Sequence, residues 1–392
     1  MKFFKQIIYF SILIGAFSCE NNLTPPVDYN FTAKPTPIIS TITPTSGLAG
    51  VSKIIITGEN FSSTKNENIV YFNNKGVSPD SATSTKLFLT APNISKDTIV
   101  VKVIVLGAEL FSNSITIKLE SAFTEYGGLS AIDEPWGIAI DNIGNLYVSL
   151  MTSGSGAGIK KITPAGVKSD YATTPGITKF SNLIYASDGV IYGARGVKAI
   201  YKIPAGGGSS AIWTSFGQLG TIFDLDFDEN GNIWASGPNI FINSIKPDKT
   251  VKQFPIDGTV RGIKVNSGYV YVGGNFQSAE KILRAKIISA DSISAWEEYF
   301  NLTTSNVGGN NIFIYGIGFL ENGDLYLGTD ATSPIKVIKK DKTVSELYPG
   351  VLTPIVHVLV KGPTGYIFGV QGIGGSGTMT NSNKIIKIVI KN

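Results

Sequence analysis

Short apolar, β-branched runs alternate with polar turns along most of the chain. In the clearest case Trp136-Gly137-Ile138-Ala139-Ile140 climbs to Asp141-Asn142-Ile143-Gly144-Asn145, and Leu146-Tyr147-Val148 follows. Two such runs around a turn ending in Gly-Asn predict a β-hairpin. The pattern then returns. Turn glycines recur as Gly144, Gly189, Gly231, Gly268, Gly323 and Gly365, and three residues after each comes an aromatic: Tyr147, Tyr192, Trp234, Tyr271, Tyr326 and Phe368. The copies lie 37 to 55 residues apart, the spacing of four-stranded units. A third run follows each aromatic, such as Ile159 to Ile162 and Ile335 to Ile338, and a fourth follows in the first five copies, such as Ser169 to Thr173 and Val251 to Phe254. The last copy ends at Asn392 without one, and Ala122 to Tyr126, just ahead of the first copy, is placed to supply it. Six repeated hairpin units predict radial repetition, a six-bladed β-propeller over residues 121–392, its ring joined by that borrowed strand.

Residues 37–120 carry six further runs at short spacing, among them Ile38 to Thr43, Asn68 to Phe72 and Lys86 to Thr90, and predict a small sandwich of immunoglobulin type. The fold class expected is therefore all-β, an Ig-like sandwich followed by a six-bladed propeller. Within the first part, Ile42-Thr43-Pro44-Thr45-Ser46-Gly47, then Ile54-Ile55-Ile56-Thr57-Gly58-Glu59-Asn60-Phe61, then Ala91-Pro92 resemble an IPT/TIG domain. The resemblance implies a turn at Pro44 and Gly47, positive φ at Gly58 and Asn60, and Phe61 returning to the core; such domains are spacers or interaction modules. In the second part Pro135 to Asp141, Gly144 to Val148 and Ile159 to Gly166 resemble an NHL repeat, with Phe223 to Ala235 and Gly316 to Gly328 matching next best. That resemblance bears on fold; one scaffold hosts many activities.

The start of the chain changes the picture of where the protein works. A basic Met1-Lys2-Phe3-Phe4-Lys5 leads into the apolar Ile7 to Phe17 and then Ser18-Cys19, a signal peptide over 1–18 with a core too short to span well. Ala16-Phe17-Ser18-Cys19 resembles a bacterial lipoprotein signal, which implies lipidation of Cys19 and, with Glu20 next, the outer membrane of a Gram-negative bacterium. Residues 19–36, with Pro25, Pro26 and Pro35, read as an extended tether.

Composition narrows the chemistry. The chain is 43% hydrophobic and 16% charged, which argues for a packed globular protein and against disorder. Net charge is +4, and removing Lys2 and Lys5 would leave +2 (4 − 2), with no Lys/Arg-rich block, so no electrostatic footprint for nucleic acid is present. Cys19 is the single cysteine, which excludes an intramolecular disulfide, and His357 the single histidine, which excludes a His-rich metal site.

Aligning the repeats brings six inner-strand entrances, Trp136, Asn182, Asp224, Arg261, Tyr315 and His357, to one face of the ring. An aromatic, an amide, an acid and a guanidinium around a channel mouth form a candidate small-ligand or glycan site. The bland alternative is that Trp136 and Tyr315 plug the channel and His357 is structural. Neighbouring segments Thr152 to Gly158, Gly273 to Glu280 and Gly369 to Asn383 read as long glycine-rich loops suited to binding. No cofactor is expected. Calcium enters as a weaker candidate, either at Glu134, Asn182 and Asp224, as in propeller lactonases, or at Asp226 to Gly231, which resembles the start of a calcium loop but has Gly237 where the bidentate Glu belongs. The expected role is non-catalytic: a lipid-anchored envelope protein whose propeller binds a glycan or an envelope protein. The alternative is a lyase or lactonase with a divalent metal at the channel mouth.

Overall fold

The computed structural model describes residues 32–215, 220–305, 307, 311–354, 356–363, 365–372 and 382–390. Cys19 and its surroundings, and residues 373–381 of the third expected loop, lie outside them. The described chain is all-β, in two sheets followed by six.

The first two sheets face each other as a sandwich. One holds Ile38–Thr43, Lys53–Glu59, Lys86–Thr90 and Ser81–Ala82; the other holds Ser46–Leu48, Ile115–Glu120, Lys96–Val105, Asn68–Phe72 and Lys75–Val77. Alternate residues point inward, and Ile54, Ile56, Val70, Phe72, Leu87 and Val101 form a core with essentially no exposure. Phe61 does return to this core. Two details of the expected turns are corrected. Gly47 lies in the short strand Ser46–Leu48, paired parallel to Lys118–Glu120, because residues 46–48 gain ladder hydrogen bonds at the edge of the second sheet. Gly58 is needed for space rather than for positive φ: a Cβ there would stand 1.9 Å from the Ile38 carbonyl oxygen, whereas Asn60 does take φ 60°.

The six remaining sheets are blades. Their innermost strands are Asp133–Ile140, Asn182–Tyr185, Asp224–Phe227, Thr259–Asn266, Ile314–Phe319 and Val356–Lys361. Each packs against the next, and the sixth packs against the first, so the blades close a ring. Blade 6 is completed by Phe123–Tyr126, which pairs antiparallel with Ile385–Ile388 as the sequence suggested. The repeated turn is the same object in blades 1 and 3. Asp141 accepts the N–H groups of Ile143 and Asn145 on one oxygen, and the Asn145 amide and Tyr147 hydroxyl on the other. Asp228 repeats this with Asn230, Asn232 and the Trp234 indole. Both carboxylates are thus spent on a hairpin turn whose glycine sits at φ 90° (Gly144) or 78° (Gly231).

The repeated aromatic fills the seam between blades. Tyr147 packs on Tyr171 of its own outer strand and on Tyr185 of blade 2, at 4.6 and 5.2 Å. Tyr192 meets Trp213 and Phe227, and Tyr271 meets Tyr299 and Phe319, in the same relation. Trp234 stacks on Phe254 with no exposure, and Phe368 meets Tyr126 of the borrowed strand.

Two of the expected long loops are tight turns. The strands of blade 1 run to Thr152 and resume at Ser155, with Ser153 and Gly154 at φ 50° and 75°. Those of blade 4 run to Phe276 and resume at Ala279, with Gln277 and Ser278 at φ 53° and 62°. Left-handed residue pairs of this kind match the twist of the flanking strands and let the hairpins extend.

Candidate functional site

A β-bulge decides which side chain each innermost strand offers to the centre of the ring. In blades 4, 5 and 6 the innermost strand carries one extra residue against its neighbour, between Val260 and Gly262, Ile314 and Gly316, and Val356 and Val358. The extra residues are Arg261, Tyr315 and His357. Blade 1 has its register shift between Pro135 and Ile138, around Trp136. A bulge lifts a residue out of the alternating pleat and re-aims its side chain. In blades 2 and 3 the strand is shorter and simply begins at Asn182 and Asp224. By these two devices all six residues come to line one cavity of about 400 Å³. It lies at the end of the channel where the innermost strands begin.

Glycine permits the crowding. A Cβ on Gly137 would lie 2.7 Å from the backbone of Asn182, and one on Gly316 2.8 Å from the His357 carbonyl oxygen. The Gly137 N–H donates to the Phe180 carbonyl at 2.8 Å, which sets Trp136 beside the start of blade 2.

The six residues are not equivalent. Arg261 donates through Nε to the Ile314 carbonyl at 2.7 Å and pairs with Glu280, a buried residue of the third strand of blade 4. Glu280 also accepts the Ile314 N–H at 3.0 Å, so this pair ties blade 4 to blade 5. Asp224 accepts the Ile263 N–H, and Asp226 the Val265 N–H, each at 2.8 Å, which ties blade 3 to blade 4. Lys264 Nζ stands 3.9 and 4.0 Å from these two carboxylates. Burial raises the pKa of Asp224 and of Asp226, against the opposing pull of Lys264. Burial works against the charge of Lys264 as well, yet its two carboxylate neighbours hold its pKa above the ordinary value. The charges of Arg261 and Asp224 are therefore largely committed to the scaffold.

Trp136, Tyr315 and His357 are each at most 5% exposed. Trp136 does not present a bare ring. The Lys179 ammonium sits 3.0 Å from its ring centre, and the His357 ring centre lies 6.0 Å away, tilted by 47°. The Trp136 indole N–H and the Asn182 side-chain oxygen have no hydrogen-bond partner among the described residues. Both belong to residues of the cavity wall, and a buried polar atom left unpaired is costly unless something fills the role.

Sequence reasoning missed Lys179 and Arg195, which also line the cavity. Lys179 precedes the innermost strand of blade 2 by three residues, and Arg195 follows Ala194, the register partner of Asn182. Both lie outside the strand entrances that the repeat register brings together, one just before the innermost strand of blade 2 and one just after its second strand. Of the first set of calcium candidates, Asn182 and Asp224 both line the cavity; in the second, Asp228 is committed to its hairpin turn. Among the described residues no group of three His, Cys, Asp or Glu side chains stands together, and Glu134 is not part of the cavity wall.

With the geometry in place, comparison with known proteins gives a partial answer. Residues 37–118 match the IPT/TIG domain. The match is confined to the sandwich. No curated protein matches the chain. Among solved structures, an auxiliary nutrient binding protein from Bacteroides thetaiotaomicron is similar over 91% of this chain and 98% of its own, at 12% identity and TM-score 0.54. Another from Bacteroides ovatus is similar over 92% and 100%, at 13% identity and TM-score 0.52. A luciferin-regenerating enzyme is similar over 68% and 94%, at 14% identity and TM-score 0.51. At these identities the likeness is one of fold. The first two cover too much of the chain to be matching the propeller alone.

His357 gives the site a measurable pH signature. Burial, and secondarily the charge of Lys179, lower its pKa from 6.5 to about 4. The folded protein then binds this proton less readily than the unfolded chain, so stability is complete above pH 6.5 and declines as the pH falls towards 4. The decline should be on the order of 3 kcal/mol. Denaturant unfolding at stepped pH should show this slope in the native protein and its loss in His357→Gln. An imidazole resonance titrating near 6.5 would contradict the assignment.

Proposed function

We propose that the propeller is a non-catalytic binding module that takes a saccharide into the cavity at its channel mouth. The observation that carries this reading is the six inner-strand residues around one cavity of about 400 Å³, with the Trp136 N–H and the Asn182 oxygen left for a ligand to satisfy. Cavities of that size take small molecules or single residues of a chain, rather than a folded partner. An envelope protein would meet only the rim, which makes the saccharide the favoured version. The names of the two nutrient-binding neighbours are in keeping with such a role.

The rest of the chain suits the same purpose. On this reading the chain divides into a signal peptide over 1–18, a tether over 19–36, the IPT/TIG sandwich over 37–120 and an NHL-like propeller over 121–392. The sandwich is a spacer. Its last strand ends at Glu120, the borrowed strand begins at Phe123, and Leu48, Ala122 and Val351 pack together across the junction. Lipidation of Cys19 would hold this assembly on the outer membrane of a Gram-negative bacterium.

Binding is tested by affinity electrophoresis and glycan arrays with the purified protein. Retention by one class of polysaccharide is expected, weakened at least tenfold in Trp136→Ala, which removes part of the cavity wall and the ring beneath the Lys179 ammonium. Retention by none would remove the saccharide reading. The anchor is tested separately by labelling cells with a radioactive fatty acid. Label in the native protein and none in Cys19→Ser is expected; equal label in both would place the anchor elsewhere.

A further inference from the structure

Four cationic side chains reach the cavity, and two of them are already matched. Arg261 is paired with Glu280, and Lys264 lies between Asp224 and Asp226. Lys179 and Arg195 are different. Among the described residues neither has a carboxylate within 4.0 Å. Glu134 acts on Lys179 only from beyond that distance. Arg195 makes two long hydrogen bonds, 3.3 Å to the Gly176 carbonyl and 3.5 Å to the Tyr201 hydroxyl, and lies 5.5 Å from the centre of the Tyr201 ring. An ammonium offers three N–H donors and a guanidinium five, so most of the donor capacity on this side of the cavity is unused.

Both cations belong to the blade 2 side of the cavity wall. Lys179, Ser181 and Asn182 lie within a single stretch entering blade 2, and Arg195 follows the residue paired with Asn182. Ser181 donates its hydroxyl to the Phe223 carbonyl at 2.7 Å, which joins this stretch to blade 3. The Lys179 ammonium lies over the Trp136 ring. The cavity is thus electrically lopsided, with cations lacking a carboxylate partner at blade 2 and Asp224 already matched by Lys264 at blade 3.

We propose that the ligand is an acidic saccharide whose oxyanion, a carboxylate or a sulfate ester, seats between Lys179 and Arg195, with a ring hydroxyl donating to the Asn182 side-chain oxygen. This inference rests on the binding role proposed for the cavity and narrows it to a charged class. Ammonium and guanidinium donors bind an oxyanion through charge-assisted hydrogen bonds, and a neutral sugar would leave them unsatisfied. The partial withdrawal of Lys179 from water, which lowers its pKa, is relieved when an anion arrives.

The test is calorimetric titration of the full chain with two matched pairs of probes. One pair is oligogalacturonate and its fully methyl-esterified form; the other is a sulfated galactan oligosaccharide free of uronic acid and its desulfated form. The acid of one pair should bind at least about tenfold more tightly than its neutral partner, with an affinity that falls as sodium chloride is raised. Which pair shows the effect tells carboxylate from sulfate. Lys179→Gln and Arg195→Gln should each erase most of the preference, while Lys179→Arg keeps it; melting temperatures near the native value separate a lost contact from a lost fold. Equal affinity for charged and neutral partners in both pairs would overturn the inference and leave saccharide binding intact. Unchanged preference in both Gln variants would overturn the assigned seat. No binding of any of the four probes, alongside retention by a neutral polysaccharide on the array, would overturn the charged class alone; no binding in either assay would overturn the cavity's binding role with it.

Discussion

The seams between blades govern the structure. A four-stranded blade has two faces to bury, and each can be covered only by the next blade of the ring. The repeated aromatic meets that demand: from the second strand it packs on the outer strand of its own blade and reaches the innermost strand of the next, as Tyr147 does with Tyr171 and Tyr185. Burying a ring of this size contributes several kcal/mol at each seam. The seams hold the blades at a common spacing, and the spacing brings the innermost strands close enough for bulged residues to surround one cavity. Ring closure depends on the same device, since Phe368 packs on Tyr126, a residue from ahead of blade 1.

Polar chemistry near the channel has two jobs, and the geometry separates them. Asp224, Asp226, Glu280 and Arg261 stitch one blade to the next by accepting or donating backbone hydrogen bonds. Their loss would loosen the ring as well as alter the cavity. Lys179 and the side-chain oxygen of Asn182 make no such bond among the described residues, and Arg195 makes only a long one, to the Gly176 carbonyl; the binding role assigned to the cavity draws on these three. The junction with the sandwich adds rigidity of another kind. A Cβ on Gly50 would lie 2.8 Å from a Val351 methyl carbon, so the two domains meet closely at Leu48, Ala122 and Val351. A sandwich held this way is fixed in orientation as well as in distance from the ring.

The architecture was legible in the sequence because it is periodic. A glycine followed by an aromatic at +3 marks every hairpin, and the run Ile335 to Ile338 coincides with the third strand of blade 5. The borrowed strand followed from counting, because one copy lacked its fourth run. The cavity was legible only in part. Placing repeats in register brought out Trp136, Asn182, Asp224, Arg261, Tyr315 and His357, but a single extra residue at a bulge leaves no mark in an apolar alternation. Lys179 and Arg195 sit just outside the aligned positions, in a blade whose innermost strand is only four residues long. Glycine-rich stretches such as Thr152 to Gly158 looked like loops because glycine is also what a tight left-handed turn requires. Ion-pair commitments that occupy Arg261 and Asp224 join residues far apart in the chain, and no local pattern announces them.

The central claim is that the ring focuses binding on the cavity its innermost strands enclose. The four tryptophans offer a direct reading, because Trp136 lines that cavity while Trp213 and Trp234 pack in the seams and Trp296 bonds to the Pro255 carbonyl. Fluorine NMR of the 5-fluorotryptophan-labelled protein, titrated with a bound oligosaccharide, should move the Trp136 resonance and leave the other three in place. A saccharide that binds while Trp136 stays fixed and Trp213 or Trp296 shifts would put the site on the outside of the ring, and contradict the account.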